Sequence, residues 1–439
     1  MEADLLIHSA AQLLTVAAQG RGPKRGAAMS DLGLIPDGAV AVRGGRIARV
    51  GPTAALRATV RAAREVDASG KVVMPGFVDP HTHLVWAGDR ADEFERRLAG
   101  ATYQEIMAAG GGIMSTVRAT RAASLEEIIA QSRPRLEAML AHGTTTAEVK
   151  TGYGLTLEDE LKLLDAITFL AEEHAVTLVP TFLGAHAVPA EYLGRADAYV
   201  DLIVEEMLPT VAHLNYRLAL VPDEDDVEED TVNYRPAARF CDVFCDEGAF
   251  TVEQARRILT AAKRLGLGLK VHADEFAPLG ATRLAVTLRA TSADHLVCTP
   301  PDQLQALARS TTVGVALPGT PFGLGQGKYM PAREFIAAGG ALALATDLNP
   351  GTCWCESMPF IIALACRAMR LMPAEAIVAA TLNAAHAVGL GQKVGSLERG
   401  KEADILILDV PDHRHLAYRF GGSPVQAVFK RGDLVAGSL

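Results

Sequence analysis

The sequence predicts an α/β protein: a (β/α)8 barrel of the TIM type with a small β-sandwich domain built from both chain ends. Three observations carry this. Eight short apolar β-runs alternate with amphipathic stretches through the middle of the chain. Both ends are strand-rich where the middle is not. The polar residues of the middle gather at the carboxyl ends of the β-runs, the face on which such barrels do chemistry.

From the amino end, Ala39–Val42 and Arg46–Val50 flank Gly44-Gly45, a hairpin signal, because a tight two-residue turn needs positive φ. The eight central runs are Phe77–His83, Thr144–Val149, Leu178–Leu183, Val243–Asp246, Leu269–Ala273, Ala293–Val297, Val313–Leu317 and Ala341–Ala345. Between them lie helical stretches such as Leu125–His142, Glu158–Glu173, Val252–Leu265 and Pro301–Ala308. Ala403–Leu408 and Val425–Lys430 return to strand character. The expected division is 1–71 and 391–439 for the two parts of the small domain, with 72–390 as the barrel. The acidic stretch Asp223–Asp230 reads as a solvated loop insertion.

Composition narrows the function. A chain of 439 residues that is 49% hydrophobic can bury a large core, and a net charge of −10 without a basic stripe speaks against nucleic acid as a partner. No uncharged apolar run approaches the length of a membrane span, and no leader pattern opens the chain, so a cytoplasmic protein with no membrane partner is expected. Six cysteines are too few for a disulfide scaffold, and neither Cys241/Cys245 nor Cys353/Cys355 has the spacer of a zinc knuckle; buried thiols are expected.

The richest stretch is Val72–Leu84, in which Pro75 and Gly76 break an apolar run that delivers His81 and His83. Strand side chains alternate faces, so two histidines separated by one residue point the same way, as two ligands of one ion must. Later β-runs end in Glu148-Val149-Lys150, in His186, in His272-Ala273-Asp274-Glu275, in Asp294-His295 and in Asp347-Leu348-Asn349. Each alone reads as a cap or core residue. Five histidines and an aspartate on one rim point to a metal, because burying so many polar groups carries a desolvation cost that coordination offsets. His8, His142, His174, His213, His386, His413 and His415 fall elsewhere and read as structural.

With these residues in place the chain resembles the amidohydrolase superfamily and, more narrowly, is similar to its imidazolonepropionase family. The resemblance rests on Asp79-Pro80-His81-Thr82-His83-Leu84, Gly110–Val117, Glu148–Gly154, Phe182–Pro189, His272–Phe276 and Asp347–Thr352. It implies metal-dependent hydrolysis of 4-imidazolone-5-propanoate, a small-molecule substrate, to N-formimidoyl-L-glutamate in histidine degradation, by a homodimer. One divalent metal ion per subunit, zinc or iron, is expected on His81, His83, His272 and Asp347, leaving a position for water. Asp347 and His295 are suited to move the water's proton, and Glu275 to hydrogen-bond the substrate ring. By the same resemblance, a bridging lysine or glutamate on the fourth strand would signal a second ion; the stretch Cys241–Glu247, with Lys150 on the second strand instead, favours one, and Glu247 is the residue to watch.

The substrate's carboxylate needs a cation. Arg90, seven residues past His83, supplies a guanidinium fork, unless it is spent on a surface pair with Asp92 or Glu93. The resemblance adds Tyr153, His186, Asn349, Gly351 and Thr352 as substrate contacts, and Tyr103 more weakly. Two features depart from the family: a long connection between Met207 and Phe240, and the segment Cys353–Met358 beside the expected site. The same rim would also suit a deaminase or another cyclic amidohydrolase. An inactive scaffold on this fold is the remaining alternative, disfavoured because every ligand position is filled.

Overall fold

The computed structural model describes all residues except 19, 102–104, 106–109 and 218–233. Tyr103 and the acidic stretch 223–230 therefore lie outside the described residues.

The small domain is a β-sandwich whose strands form one hydrogen-bonded path: Asp433–Gly437, Val425–Lys430, Ile405–Leu408, Val72–Pro75, Glu2–Leu14, Leu34–Arg43 and Arg46–Pro52, with Arg61–Asp67 paired to Glu2–Leu14. The expected hairpin forms across Gly44 and Gly45, at φ 55° and 69°, with Arg43 opposite Arg46. Leu5, Ile7, Val40 and Val42 from the amino end share a core with Ile405, Ile407 and Phe429 from the carboxyl end. The alternate residues Leu406 and Leu408 enter the main barrel core. Both faces of Ile405–Leu408 are thus buried, which explains its unbroken apolar run.

Eight parallel strands follow around the barrel: Phe77–Asp79, Thr144–Lys150, Thr177–Ala185, Phe240–Cys245, a fifth in two pieces (Gly268–Leu269 and His272–Ala273), Ser292–His295, Val313–Ala316 and Leu342–Leu344. Each overlaps one of the eight expected runs. The ring closes just beyond the strand ends, where Thr82 bridges Leu348, His83 N donates to Leu348 O (2.9 Å) and Asp347 N donates to His81 O (3.1 Å). Closure therefore brings the two ends of the barrel sequence, with their histidines and aspartate, into direct contact.

Several of the intervening helices begin at side-chain caps. Ser124 and Glu127 form a capping box on Leu125–Ala141, as do Thr251 and Gln254 on Val252–Arg264. Thr156 caps Leu157–Glu173, and Pro301 opens Pro301–Arg309. No helix of the described residues is long and apolar enough to cross a membrane. All six cysteines are free; Cys241, Cys245 and Cys353 are buried, whereas Cys298, Cys355 and Cys366 are half-buried.

Candidate metal centre and active site

His81, His83, His272, His295 and Asp347 converge at the carboxyl rim, all buried. Two groups have ligand atoms within 4.8 Å of one another: His81, His83 and Asp347, and His81, His272 and His295. His81 belongs to both, so the four residues expected to hold an ion are spread over two overlapping clusters. Asp347 Oδ1 lies 3.5 Å from His81 Nε2 and 3.6 Å from His83 Nε2. The ring centroids of His81 and His272 are 4.4 Å apart. The Nε2 atoms of His81, His272 and His295 are buried without a hydrogen-bond partner. Buried nitrogens left with free lone pairs, facing a carboxylate, make a donor set that fits a divalent cation.

The surroundings hold the imidazoles of His81, His83 and His295 neutral. Burial pushes His81 well below the usual histidine range, reinforced by Lys150 and the neighbouring imidazoles. His83 and His295 shift the same way for the same first cause, and burial takes His186 down to about 3. A ligand imidazole must be unprotonated, so the site is set for coordination before any ion arrives. Asp347 moves oppositely: burial raises it to about 6, against hydrogen bonds from the Thr320 hydroxyl and the Asn349 side chain. Thr320 occupies Asp347 Oδ2, turning Oδ1 toward the histidines.

Beneath the rim lies a fully buried charge network that the sequence reading left without roles. His81 Nδ1 donates to Asp294 Oδ2 at 2.7 Å, which fixes its proton on Nδ1 and frees Nε2 for the rim. His272 Nδ1 sits 3.0 Å from Asp242 Oδ2, in ion-pair contact but without the alignment of a hydrogen bond. Lys150 Nζ ties the two carboxylates together, 2.8 Å from Asp242 and 4.0 Å from Asp294, and also contacts Glu148 at 2.6 Å. Although burial works against its charge, Asp242, Glu148 and Asp294 outweigh it and keep Lys150 protonated. Lys270 adds a contact of 3.6 Å to Asp294. The signal was present in the sequence: Glu148 and Lys150 stand two apart on one strand face, and Asp242 interrupts an apolar run. Glu247 is exposed, unlike the buried groups of this network.

The expected substrate contacts surround the same centre. His186 stacks on His83 (centroids 4.9 Å, 17°) and bonds through Nδ1 to Gly152 O at 3.0 Å. Gly152 (φ 103°) has to be glycine here, because a Cβ would stand 2.9 Å from His186 Nδ1. Tyr153 lies 5.8 Å from His83, its loop held by Glu160, whose carboxylate accepts from the backbone N–H groups of Gly152, Gly154 and Leu155. Arg90 does pair with Glu93 (3.0 Å), yet both side chains are only 14% exposed, so the pair is not a surface one. Its guanidinium packs on Gly351, where an added Cβ would approach Nη1 to 2.2 Å. Glu275 Oε2 stands 3.6 Å from His295 Nδ1, and burial drives this carboxyl well above its usual range, with Asp347 and Asp246 adding to the effect. Asn349 is spent on its own loop: Oδ1 accepts from Gly351 N and Thr352 N (both 2.8 Å), and Nδ2 donates to Asp347 O.

Strain concentrates at this rim. Asp274, His295, Leu296 and Asp347 adopt φ of 51°, 74°, 61° and 56°, values that cost a side-chain-bearing residue about 1–3 kcal/mol each. Asp274 is held there by backbone N–H groups of Gly280, Ala281 and Thr282.

An eight-stranded barrel with a histidine–aspartate cluster on its carboxyl rim is the build of a metal-dependent hydrolase. The model of the amidohydrolase family matches residues 72–435, and that of an imidazolonepropionase-like composite domain of bacteria matches residues 38–59. The imidazolonepropionases of Herpetosiphon aurantiacus, Chloroflexus aggregans and Symbiobacterium thermophilum are 53%, 52% and 51% identical to it over 98–99% of this chain and 97–98% of their own. The chain belongs to the amidohydrolase family and, within it, to the imidazolonepropionases. Among solved structures, an adenosine deaminase from Xanthomonas campestris with bound zinc (TM-score 0.69, 20% identity, 99% of this chain and 93% of that one) shares the fold. So does a 5-methylcytosine deaminase from Klebsiella pneumoniae (TM-score 0.71, 16% identity, 99% of this chain and 98% of that one).

Proposed function

We propose that this chain hydrolyses 4-imidazolone-5-propanoate to N-formimidoyl-L-glutamate, with His81, His83, His272 and Asp347 holding one divalent ion. The observation that carries the reading is the convergence of His81, His83 and Asp347, with His272 beside them, in a chain at least half identical to proteins named imidazolonepropionase. When bound, a divalent cation supplies Lewis acidity, lowering the pKa of water from about 16 to about 7.

The chain's own groups supply the rest. Asp347, whose Oδ2 is held by Thr320 while Oδ1 faces the histidines, is placed to accept the proton of the attacking water and release it to the leaving nitrogen. Water's oxygen adds to the lactam carbonyl carbon, the ring C–N bond breaks, and the nitrogen leaves with the returned proton. His295 assists that transfer. Glu275, whose carboxyl burial shifts well above its usual range, is suited to donate a hydrogen bond to a substrate ring nitrogen. Arg90 meets the propionate in a paired N–H···O geometry. Tyr153 and His186 contact the substrate, with Gly351 and Thr352 lining its carboxylate side. Because its amide is internally satisfied, Asn349 serves by shaping the loop.

Zinc or iron as the ion, a homodimer, a cytoplasmic location and a catalytic unit at 72–390 with small-domain parts at 1–71 and 391–439 belong to the same proposal, with the strand Val72–Pro75 lent to the small-domain sheet. Its test is loss of the substrate's ultraviolet absorbance with purified protein, alongside elemental analysis. Turnover with about one equivalent of metal per chain is expected, and cytosine and guanine should be left unchanged. Deamination of either without ring opening of the imidazolone would overturn it.

A further inference from the structure

The chain has two tryptophans, and they meet. Trp86 lies three residues beyond His83 and Trp354 seven beyond Asp347; their rings pack edge to face at 5.0 Å and 87°. Into the junction comes Arg135, from the helix Leu125–Ala141. Its Cζ stands 3.3 Å from the Trp86 ring centroid and 5.2 Å from that of Trp354. Its Nη1 donates to Leu84 O and Trp86 O, both at 3.0 Å. The residue is only 5% exposed, Nε has no partner, and no carboxylate forms an ion pair with it among the described residues.

A buried cation held by ring faces and carbonyls, with Glu356 acting on it from beyond ion-pair distance, is costly, and an apolar side chain would fill the space with less penalty. What the guanidinium adds is a link: it grips the loop after the first strand through two carbonyls and the loop after the eighth through an indole face. Those loops carry Arg90 and Asp347. They touch again where Arg90 lies on Gly351 and where Arg97 Nη2 donates to Gly351 O at 3.2 Å.

We propose that Arg135, clasped between Trp86 and Trp354, is a positioning residue that sets the separation of Arg90 from Asp347. It thereby selects substrates by the number of methylenes between ring and carboxylate. The inference rests on the hydrolase reading above and deepens it. Arg135 touches no reacting atom. Its effect is carried by the spacing of two loops, so loosening the clasp should blur discrimination and leave the metal in place.

The test compares kcat/KM for 4-imidazolone-5-propanoate and its one-carbon-shorter acetate homologue, in wild type, Arg135→Lys and Trp354→Ala. One methylene of reach is worth about 10–200-fold in a fitted site. Lysine keeps the charge but loses the planar stack and the forked donors, so it should not rescue. Trp354 is 49% exposed, which makes its removal mild for folding. Both variants should raise KM for the propanoate and reduce the preference over the acetate by about tenfold, with kcat within about threefold and metal content unchanged. A lowered melting point with the preference intact in both would reduce Arg135 to a stabilising residue and overturn the clasp. Should wild type fail to open the imidazolone at all, the hydrolase reading and this inference fall together.

Discussion

At the scale of single residues, the site divides into groups that face the rim and groups that aim them. Removing Asp347 should abolish turnover: Asp347→Ala deletes a predicted ligand and proton acceptor, and full activity in that variant would refute its role. The groups behind the ligands give a more discriminating case. Asp294 holds His81 by its Nδ1 proton, so Asp294→Asn keeps an oxygen acceptor but loses the charge that makes the ligand basic. Metal affinity should fall about 10–100-fold, read by competition with a chelator. Unchanged affinity would mean that His81 is not tuned from behind. For Arg90, Arg90→Lys should raise KM far more than it lowers kcat, because an ammonium cannot match both carboxylate oxygens; an unchanged KM would return Arg90 to a simple partner of Glu93. The rim histidines were legible from sequence because an extended run delivers His81 and His83 two residues apart, although the strand itself ends at Asp79 and both lie just beyond it. Asp294, Asp242 and Thr320 were not assigned, since their partners lie far away in sequence: 213 residues separate Asp294 from His81.

At the scale of elements, the eight strands and their helices were readable from apolar runs and caps, whereas the way two strands join was not. Eight β-units pointed to a closed ring, but the contacts that close it lie beyond Phe77–Asp79 and Leu342–Leu344 and could not be read from those strands. The order of the small sheet was equally hidden, since Val72–Pro75 is flanked by strands from opposite ends of the chain. One short helix offers a pH test away from the metal site. His386 sits on Leu382–Ala387 with Nε2 buried and unpartnered. Burial lowers it from 6.5 to about 4, assisted by Lys401 and Arg25 and opposed by Glu398. Between those values the unfolded chain takes the proton and the folded chain refuses it, so stability drains away as pH falls through that window. In His386→Gln this loss is absent. The urea midpoint of the variant, measured against wild type, should therefore improve on going from pH 7.5 to pH 5. A constant difference would show that His386 titrates normally in the fold.

At the scale of the whole molecule, the small domain and the barrel share structure. Ile405 and Ile407 face one core while Leu406 and Leu408 face the other. Lys430 of the small domain bonds Asp404 at 2.7 Å and reaches Thr145 O on the second barrel strand at 3.1 Å. Such a seam makes separate unfolding expensive, because either part would expose the far face of a strand it keeps. The candidate ligands lie just past the first and eighth strands and in the fifth, so only the closed barrel presents them together. An ion bound there favours the folded chain alone and adds RT ln(1 + [L]/Kd), about 2.7 kcal/mol at a hundred times Kd. Chelation should then lower the melting midpoint of the entire chain in one transition. Hydrogen exchange in 405–408 should quicken along with exchange at the rim, although this strand touches no ligand. In Asp347→Ala the added metal should leave the midpoint almost where it was. Two transitions on chelation, with 405–408 keeping its protection while the rim opens, would show that the seam does not couple the halves and that metal stabilises the barrel alone.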